Sequence, residues 1–384
     1  MSKIKGADMT CNSLPDGDDL LWKILLRLLP QPSSLPRASA VCKRWQRLTT
    51  DPMFLCDFYT HHRKPPLLGV FEYRDSMRFN LQRYSCRHEY STPSSPPHRN
   101  EVLCCRHGRV LTNDHVCKEL IVCTPVTCEY FKAFLYHING AAFSEKKING
   151  AVLCAASDQG HVHGGCHSSP FKVILVIMNQ QEDHRPLACV YSSETGSWGK
   201  LISTDTPYLI FTAHRPGSLV GNAVYWLVTT MSYGNDMLKF DLEEQTLAVI
   251  NGPPVTDRPH CGQIIQAKAE DGAVGFSILS YPRLQMWRGN MNIPGVATWV
   301  MWKTIEINNI LGLPIQARWR GFETILGYSK DTYAIFIYMD TNLYMVQLKS
   351  MQSKRLHKTI YINDYHPLTG FYSPATRSGG CDFQ

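Results

Sequence analysis

The 384-residue chain has no apolar run approaching the roughly 18 residues that a membrane helix requires. Its best candidate, VILVIM at 173–178, has the length of a buried strand. The opening residues, MSKIKGADMTCNSLPDGDD, contain no apolar core segment, which argues against a secretory signal and predicts a cytoplasmic or nuclear protein with no membrane partner. Concentrated positive charge is also missing. The formal charge of +7 is spread along the chain with a mild excess between Arg63 and Arg109, so no nucleic-acid partner is expected. There is no Gly-x-Ser-x-Gly elbow and no phosphate-cradling glycine loop ahead of a helix, since GNMNIPG at 289–295 reads as a hairpin turn. Asp236, Asp241, Glu243 and Glu244 read as solvated turn acids. No catalytic residue is expected, and the chain is read as not an enzyme.

What is present is an ordinary globular composition, 44% apolar and 18% charged, at a length that suggests two units. The 14 cysteines are scattered, and without an export signal they are read as reduced thiols. Cys117, Cys123 and Cys128 are separated by five and four residues, not by the two of a zinc ribbon or redox pair, and read as small buried apolar groups.

Two textures divide the chain. In LPDGDDLLWKILLRLLP, Leu20, Leu21, Ile24, Leu25 and Leu28 recur at the spacing of one helical face, with Asp16, Asp18 and Asp19 at its start. Pro30 and Pro32 stop this helix. A second helix is predicted from an N-cap at Ser34, with Pro36 in its first turn and an apolar face of Leu35, Ala38, Val41, Cys42, Trp45 and Leu48. A third opens with Asp51 as cap and Pro52 at the first position. Three such helices are too small to bury a comfortable core alone and would keep apolar surface for a partner.

From Pro65 onward about fourteen short runs rich in Val, Ile, Tyr, Phe and Trp alternate with Gly, Asn, Asp, Ser and Pro, the signature of an all-β body. Five segments share one plan of strand, polar turn and return strand: 120–134, 188–203, 237–252, 284–307 and 343–359. Units of roughly 40 to 60 residues built from four antiparallel strands are propeller blades, and about six to eight are expected. A β-sandwich is the alternative fold. GHVHGGCHSS gathers His161, His163, Cys166 and His167, ligand types that suit zinc. Their spacing matches no established zinc module, and the glycines read as a flexible loop between blades, so neither metal nor cofactor is expected.

The helical stretch resembles the F-box, the module that docks on the Skp adaptor of Skp–cullin–F-box ubiquitin ligases. The positions that carry the likeness are Leu14-Pro15, Leu20, Leu21, Ile24, Leu28 and Val41-Cys42-Lys43-x-Trp45-x-x-Leu48. HHRKPPLLGVF (61–71), CRHGRVL (105–111), ELIVCTPVT (119–127) and CHSSPF (166–171) are similar to a large plant family in which the F-box precedes an F-box-associated β-propeller. One departure stands out: Cys123-Thr124-Pro125-Val126-Thr127-Cys128 replaces that family's Trp-Asp-Pro-x-Thr-Gly turn.

The resemblance implies a disordered N-terminus at 1–13, an F-box at 14–62, a propeller at 63–375 and a flexible C-terminus at 376–384. It implies a substrate receptor that binds the Skp adaptor through Leu14, Pro15, Leu20, Ile24, Leu28, Pro36, Val41, Cys42, Lys43 and Trp45, with Arg37 as a weaker candidate. Through the adaptor it would reach cullin, while propeller loops bind an unidentified target protein. Trp45 has two readings, a partner-facing anchor or packing inside the helical unit. The rival functions are a stand-alone propeller that binds a sugar or small ligand beneath a non-docking head, and an enzyme with an acid or metal cluster in its central channel.

Overall fold

The computed structural model describes residues 17–72, 78–80, 100–115, 117–127, 129–135, 147–156, 161–178, 185–204, 210–211, 215–229, 235–254, 262–267, 272–293, 296–314, 323–358 and 365–372. Leu14, Pro15 and the terminal segments 1–13 and 376–384 lie outside these residues. Among the described residues no helix is long and apolar enough to cross a membrane.

The head holds four helices where the sequence pattern predicted three. In α1 (Asp18–Leu26) the expected single apolar face divides. Leu21 and Leu25 are buried, whereas Leu20 and Ile24 point outward at 48% and 39% exposure. The predicted second helix is broken into α2 (Ser34–Ser39) and α3 (Lys43–Thr50) by Cys42, whose backbone is extended (φ −163°, ψ 168°). The Cys42 carbonyl then accepts the Gln46 N–H and starts α3. The break has a packing cause. An unbroken helix would carry Leu48 about 15 Å beyond Ala38 along its axis, yet both residues enter one small core with Leu21, Leu25, Leu35, Phe54 and Phe58. Ser34 is not the cap either; that position falls on Ser33, which makes no side-chain capping bond. The third predicted start is as expected. Asp51 Oδ1 accepts from the N–H groups of Met53 (2.8 Å) and Phe54 (3.3 Å), and Pro52 opens α4 (Pro52–His62).

The β body follows. After β1 (Leu67–Glu72) and β2 (Arg78–Asn80) come four strands, β3 (Asn100–Arg106), β4 (Arg109–Asp114), β5 (Glu119–Thr124) and β6 (Glu129–Phe134), which form one sheet in chain order. The next comprises β7 (Lys147–Cys154), β8 (Phe171–Met178), β9 (Pro186–Ser192), β10 (Ser197–Trp198) and β11 (Ile202–Ser203). A third is built from β12 (Ile210–Phe211), β13 (Ser218–Val220), β14 (Ala223–Thr229), β15 (Asp236–Asp241) and β16 (Leu247–Ile250). The fourth contains β17 (Gly262–Gln266), β18 (Val274–Ser280), β19 (Arg283–Ile293) and β20 (Val296–Glu306), and leads through α5 (Ile307–Leu311). The fifth is β21 (Glu323–Ser329), β22 (Ala334–Met339), β23 (Asn342–Gln347) and β24 (Gln352–Lys358). Last, β25 (Tyr365–Thr369) returns to pair antiparallel with β1, giving a three-stranded sheet β2-β1-β25.

These sheets make a β-propeller of five blades with four or five strands, closed by the three-stranded sheet that joins the two ends of the β body. The expectation of about six to eight blades is corrected to that extent. Successive inner strands meet around an axis: β25 touches β3, β3 touches β7, β13 touches β17, β17 touches β21, and β21 touches β25. Between β7 and β13 the side-chain amide of Asn149 donates to the Arg215 carbonyl (2.9 Å). The five segments that shared one plan in the sequence are the β5–β6, β9–β10, β15–β16, β19–β20 and β23–β24 hairpins, the outer half of each blade. Their turns are held locally. Asp241 Oδ1 accepts from the N–H groups of Glu243 and Glu244, and Gln347 Oε1 from that of Lys349. The departing turn closes too, with the Thr127 N–H on the Thr124 carbonyl at 3.2 Å. Cys117 is exposed, not buried as expected, because it follows the β4 end, where its N–H is held by Asp114 Oδ1.

One continuous core runs across the first three blades, from Leu103 to Leu247, and Trp226 is its largest fully buried side chain. Trp226→Ala is expected to cost about 3–5 kcal/mol, read as a lower denaturant midpoint. An unchanged midpoint would place Trp226 outside the cooperative core.

Candidate functional site

The head presents apolar side chains to solvent on its outer side. Leu20, Ile24 and Val41 are 48%, 39% and 55% exposed, and Leu29 and Met53 are 67% and 69% exposed. Ion pairs bring their elements together. Asp18, at the first position of α1, accepts from Arg44 (2.8 Å) and Arg47 (3.2 Å) of α3. The turn carrying Val41 is thereby drawn to the end of α1 that carries Leu20. The bond from Arg44 holds the Asp18 carboxyl below its usual range. Both partners lie in water, so these pairs set orientation more than stability.

The sequence-predicted positions separate on burial. Leu20, Ile24, Val41, Lys43 and Arg37 are exposed, whereas Leu28, Pro36, Cys42 and Trp45 are half-buried. Trp45 packs against the head core with Trp22 and Leu28 and keeps part of its surface open to solvent, so its two readings coexist. Leu29 and Met53 escaped the sequence reading. Each follows a strong structural signal, the end of α1 and the Asp51-Pro52 start, that drew attention from its own exposure.

The opposite side of the head is seated on the propeller. Tyr59 of α4 stacks on Phe371 with ring centroids 4.4 Å apart and planes 19° from parallel. Phe371 is buried within the head core. Its N–H donates to the Gly164 carbonyl (2.9 Å), and the N–H of Gly370 donates to that of Pro66 (3.1 Å). Gly165 lies under the Tyr59 ring, where an added Cβ would come within 2.7 Å of it. Gly164, at φ +104°, faces Pro65 equally closely. The segment 161–170 is thus packed and not the flexible loop expected. The buried guanidinium of Arg109 holds it by donating to the carbonyls of Cys166, His167 and Ser169, while lying 5.2 Å from the Phe171 ring centroid. The glycines are there for close approach, a role that composition does not distinguish from mobility.

The same seat gathers possible metal ligands. Cys154, His161, His163 and Cys166 bring their ligand atoms within 4.8 Å of one another. His167, grouped with them in the sequence, is not among them; Cys154, the last residue of β7, takes its place. At the propeller axis an adjoining cavity is lined by Arg106, His107, Gln263, Tyr328, Lys330 and Asp331. Arg106 donates to the Gly217 carbonyl (2.7 Å), and burial followed by the Arg106 charge lowers the Lys330 pKa.

A family model described as F-box protein AT5G49610-like, beta-propeller, matches residues 101–375, and one described as F-box-like matches residues 12–56. No curated protein sequence matches the chain. Among solved structures, the chain is similar to the extracellular domain of a one-component system from B. thetaiotaomicron. That match has TM-score 0.34 and 13% identity, and covers 68% of this chain and 28% of that one. For the Dos1 propeller the values are 0.35 and 8%, over 74% of this chain and 66% of that one. A Bacteroides caccae protein of unknown function gives 0.44 and 10%, over 79% and 99%. The chain therefore spans less than two thirds of the first two, and none of these similarities bears on what it binds.

Two predictions test the seat. Gly165→Val sets a branched side chain against a Tyr59 ring already backed by Phe371, and overpacking of about 1–3 kcal/mol raises the open population roughly 5- to 150-fold. Trypsin should then cut after exposed Arg63 correspondingly faster, and an unchanged rate would refute the packing. Burial also pushes the Tyr59 phenol up to about 12 from its ordinary 10. The neutral ring is the one that fits, so this contribution is complete below pH 10 and is lost as pH rises from 10 to 12. Comparing denaturation at pH 9 and pH 11, Tyr59→Phe should lose less stability than the wild type.

Proposed function

The chain belongs to the family of F-box proteins with an AT5G49610-like β-propeller, and on that premise we propose that it is the substrate-recognition subunit of a Skp–cullin–F-box ubiquitin ligase. The head binds the Skp adaptor and so reaches cullin; loops of the propeller hold a target protein. The chain makes and breaks no bonds itself. Its contribution is tethering, which for short links raises the effective concentration of the target beside the ubiquitin-charged enzyme to roughly millimolar. A head stacked on the propeller through Tyr59 and Phe371 turns that tether into a defined geometry.

The observation that carries this reading is the outward apolar set Leu20, Ile24 and Val41. Full burial of each such side chain stabilises an interface by about 1.5–3 kcal/mol, and the head's own core leaves them uncovered. Arg37 and Lys43, both exposed, border the set and favour register over raw affinity. Leu14 and Pro15 are proposed to extend this surface on the strength of the F-box-like match, which spans both. Leu28, Pro36, Cys42 and Trp45 act from below, by holding the exposed side chains in place. The target surface belongs to the propeller, where Tyr130 (69% exposed) and Phe131 border a groove with Glu129, His167 and Glu194.

The test is co-purification of the full chain with the Skp adaptor. Ile24→Asp combined with Val41→Asp puts two charges into an apolar contact and should weaken binding by at least about 100-fold, with the circular dichroism of the free chain unchanged. Trp45→Ala should instead lower the stability of the head and reduce binding only in proportion. Undiminished adaptor binding by the double variant would overturn the site, and failure of the wild type to bind would overturn the reading.

A further inference from the structure

We propose that Cys154, His161, His163 and Cys166 form a structural zinc site that fastens the head's seat to the propeller. The inference stands on the geometry of these four side chains and is independent of the ligase reading. His161 Nε2 lies 3.3 Å from both Cys154 Sγ and Cys166 Sγ, and His163 Nδ1 lies 3.7 Å from Cys166 Sγ. With Zn–S near 2.3 Å and Zn–N near 2.0–2.1 Å, the edges of a tetrahedral Cys2His2 site are roughly 3.3–3.8 Å long. All four ligand atoms lie within 4.8 Å of one another, so small rotations of the side chains bring them to the bonding arrangement.

The frame around the ligands is fixed. Cys154 ends β7, inside the ring, and its N–H donates to His107 Nδ1 (3.2 Å). The His163 ring stacks on His107, with centroids 3.9 Å apart and planes at 13°. Arg109 holds the Cys166 carbonyl, and Phe371 holds that of Gly164. Cys166 is fully buried, Cys154 and His161 are half-buried, and exposed His163 closes the solvent side.

Ligand type selects the ion. Two thiolates and two imidazoles suit Zn2+, whereas Mg2+ and Ca2+ need oxygen ligands. On binding, the two thiols release two protons to solvent, the imidazoles bind neutral, and the cation is balanced by two thiolates, leaving no net buried charge. Four protein ligands leave no open position, the mark of a structural and not a catalytic centre. Because Val162 of the same loop packs against the head core, the ion would couple the loop's order to the seating of the head.

The experiment uses the full chain, purified without added chelator, and reads its zinc content and its Co2+-exchanged spectrum. The expected result is one zinc per chain and a cobalt spectrum with tetrahedral d–d bands and thiolate charge transfer. Cys154→Ser and Cys166→Ser should each weaken metal binding by about 100-fold or more, while His167→Ala leaves it intact. Chelation should speed trypsin cleavage after Arg63. A folded wild-type chain without zinc or cobalt bands at saturating metal would overturn the proposal, as would zinc content unmoved by the cysteine variants. So would a Cys154–Cys166 disulfide, seen as loss of two hydrogens in mass. Should the variants fold poorly, the cobalt spectrum of the unaltered chain decides alone.

Discussion

The pairing of β1 with β25 is the contact on which the rest of the molecule depends. The inner strands of a propeller stack only if the ring is shut, and an open ring would bare the faces of β3 and β21, which β25 touches on either side. The same strand runs directly into Gly370 and Phe371, which bond to Pro66 and Gly164 and stack beneath Tyr59. Ring closure and head seating are therefore a single structural event. Few residues between β25 and the head could move without disturbing both.

The head divides its apolar surface between two neighbours. Leu21, Leu25, Leu35, Phe54 and Phe58 are spent on its own core, to which the propeller adds Phe371. That borrowed aromatic ring answers the problem of a unit too small to cover itself, but only on one side. Leu20, Ile24 and Val41 stay outward, where Arg44 and Arg47 grip Asp18 and keep α1 and α3 in register. The buried arginine at position 109 performs the matching task on the propeller side. With three carbonyls as acceptors, it makes a tight loop from a glycine-rich segment.

Much of this was legible in the residues. The Asp51-Pro52 start of α4 and the outer hairpins of all five blades follow from local capping and from period-two alternation, which act within a few residues. What escaped depended on distant partners. Cys42 breaks a helix because Leu48 must fold back on Phe54, a demand invisible at the break itself. The division of Leu20 and Ile24 from Leu21 and Leu25 needs knowledge of where the core lies. Gly164 and Gly165 signal mobility by composition, and only Pro65 and Tyr59 reveal that they are there to let rings approach. Cys154 closes a strand well before the histidines it meets, and nothing in its immediate neighbours marks it.

The placement of Phe371 also has a meaning in time. Synthesis delivers the helices before the ring they sit against, so the aromatic platform beneath Tyr59 does not exist until β25 and Phe371 have followed all five blades off the ribosome. A product that stops short keeps the outward-facing leucine, isoleucine and valine yet has nothing to stand on. The posture of the head is thus fixed only once the ring has been made.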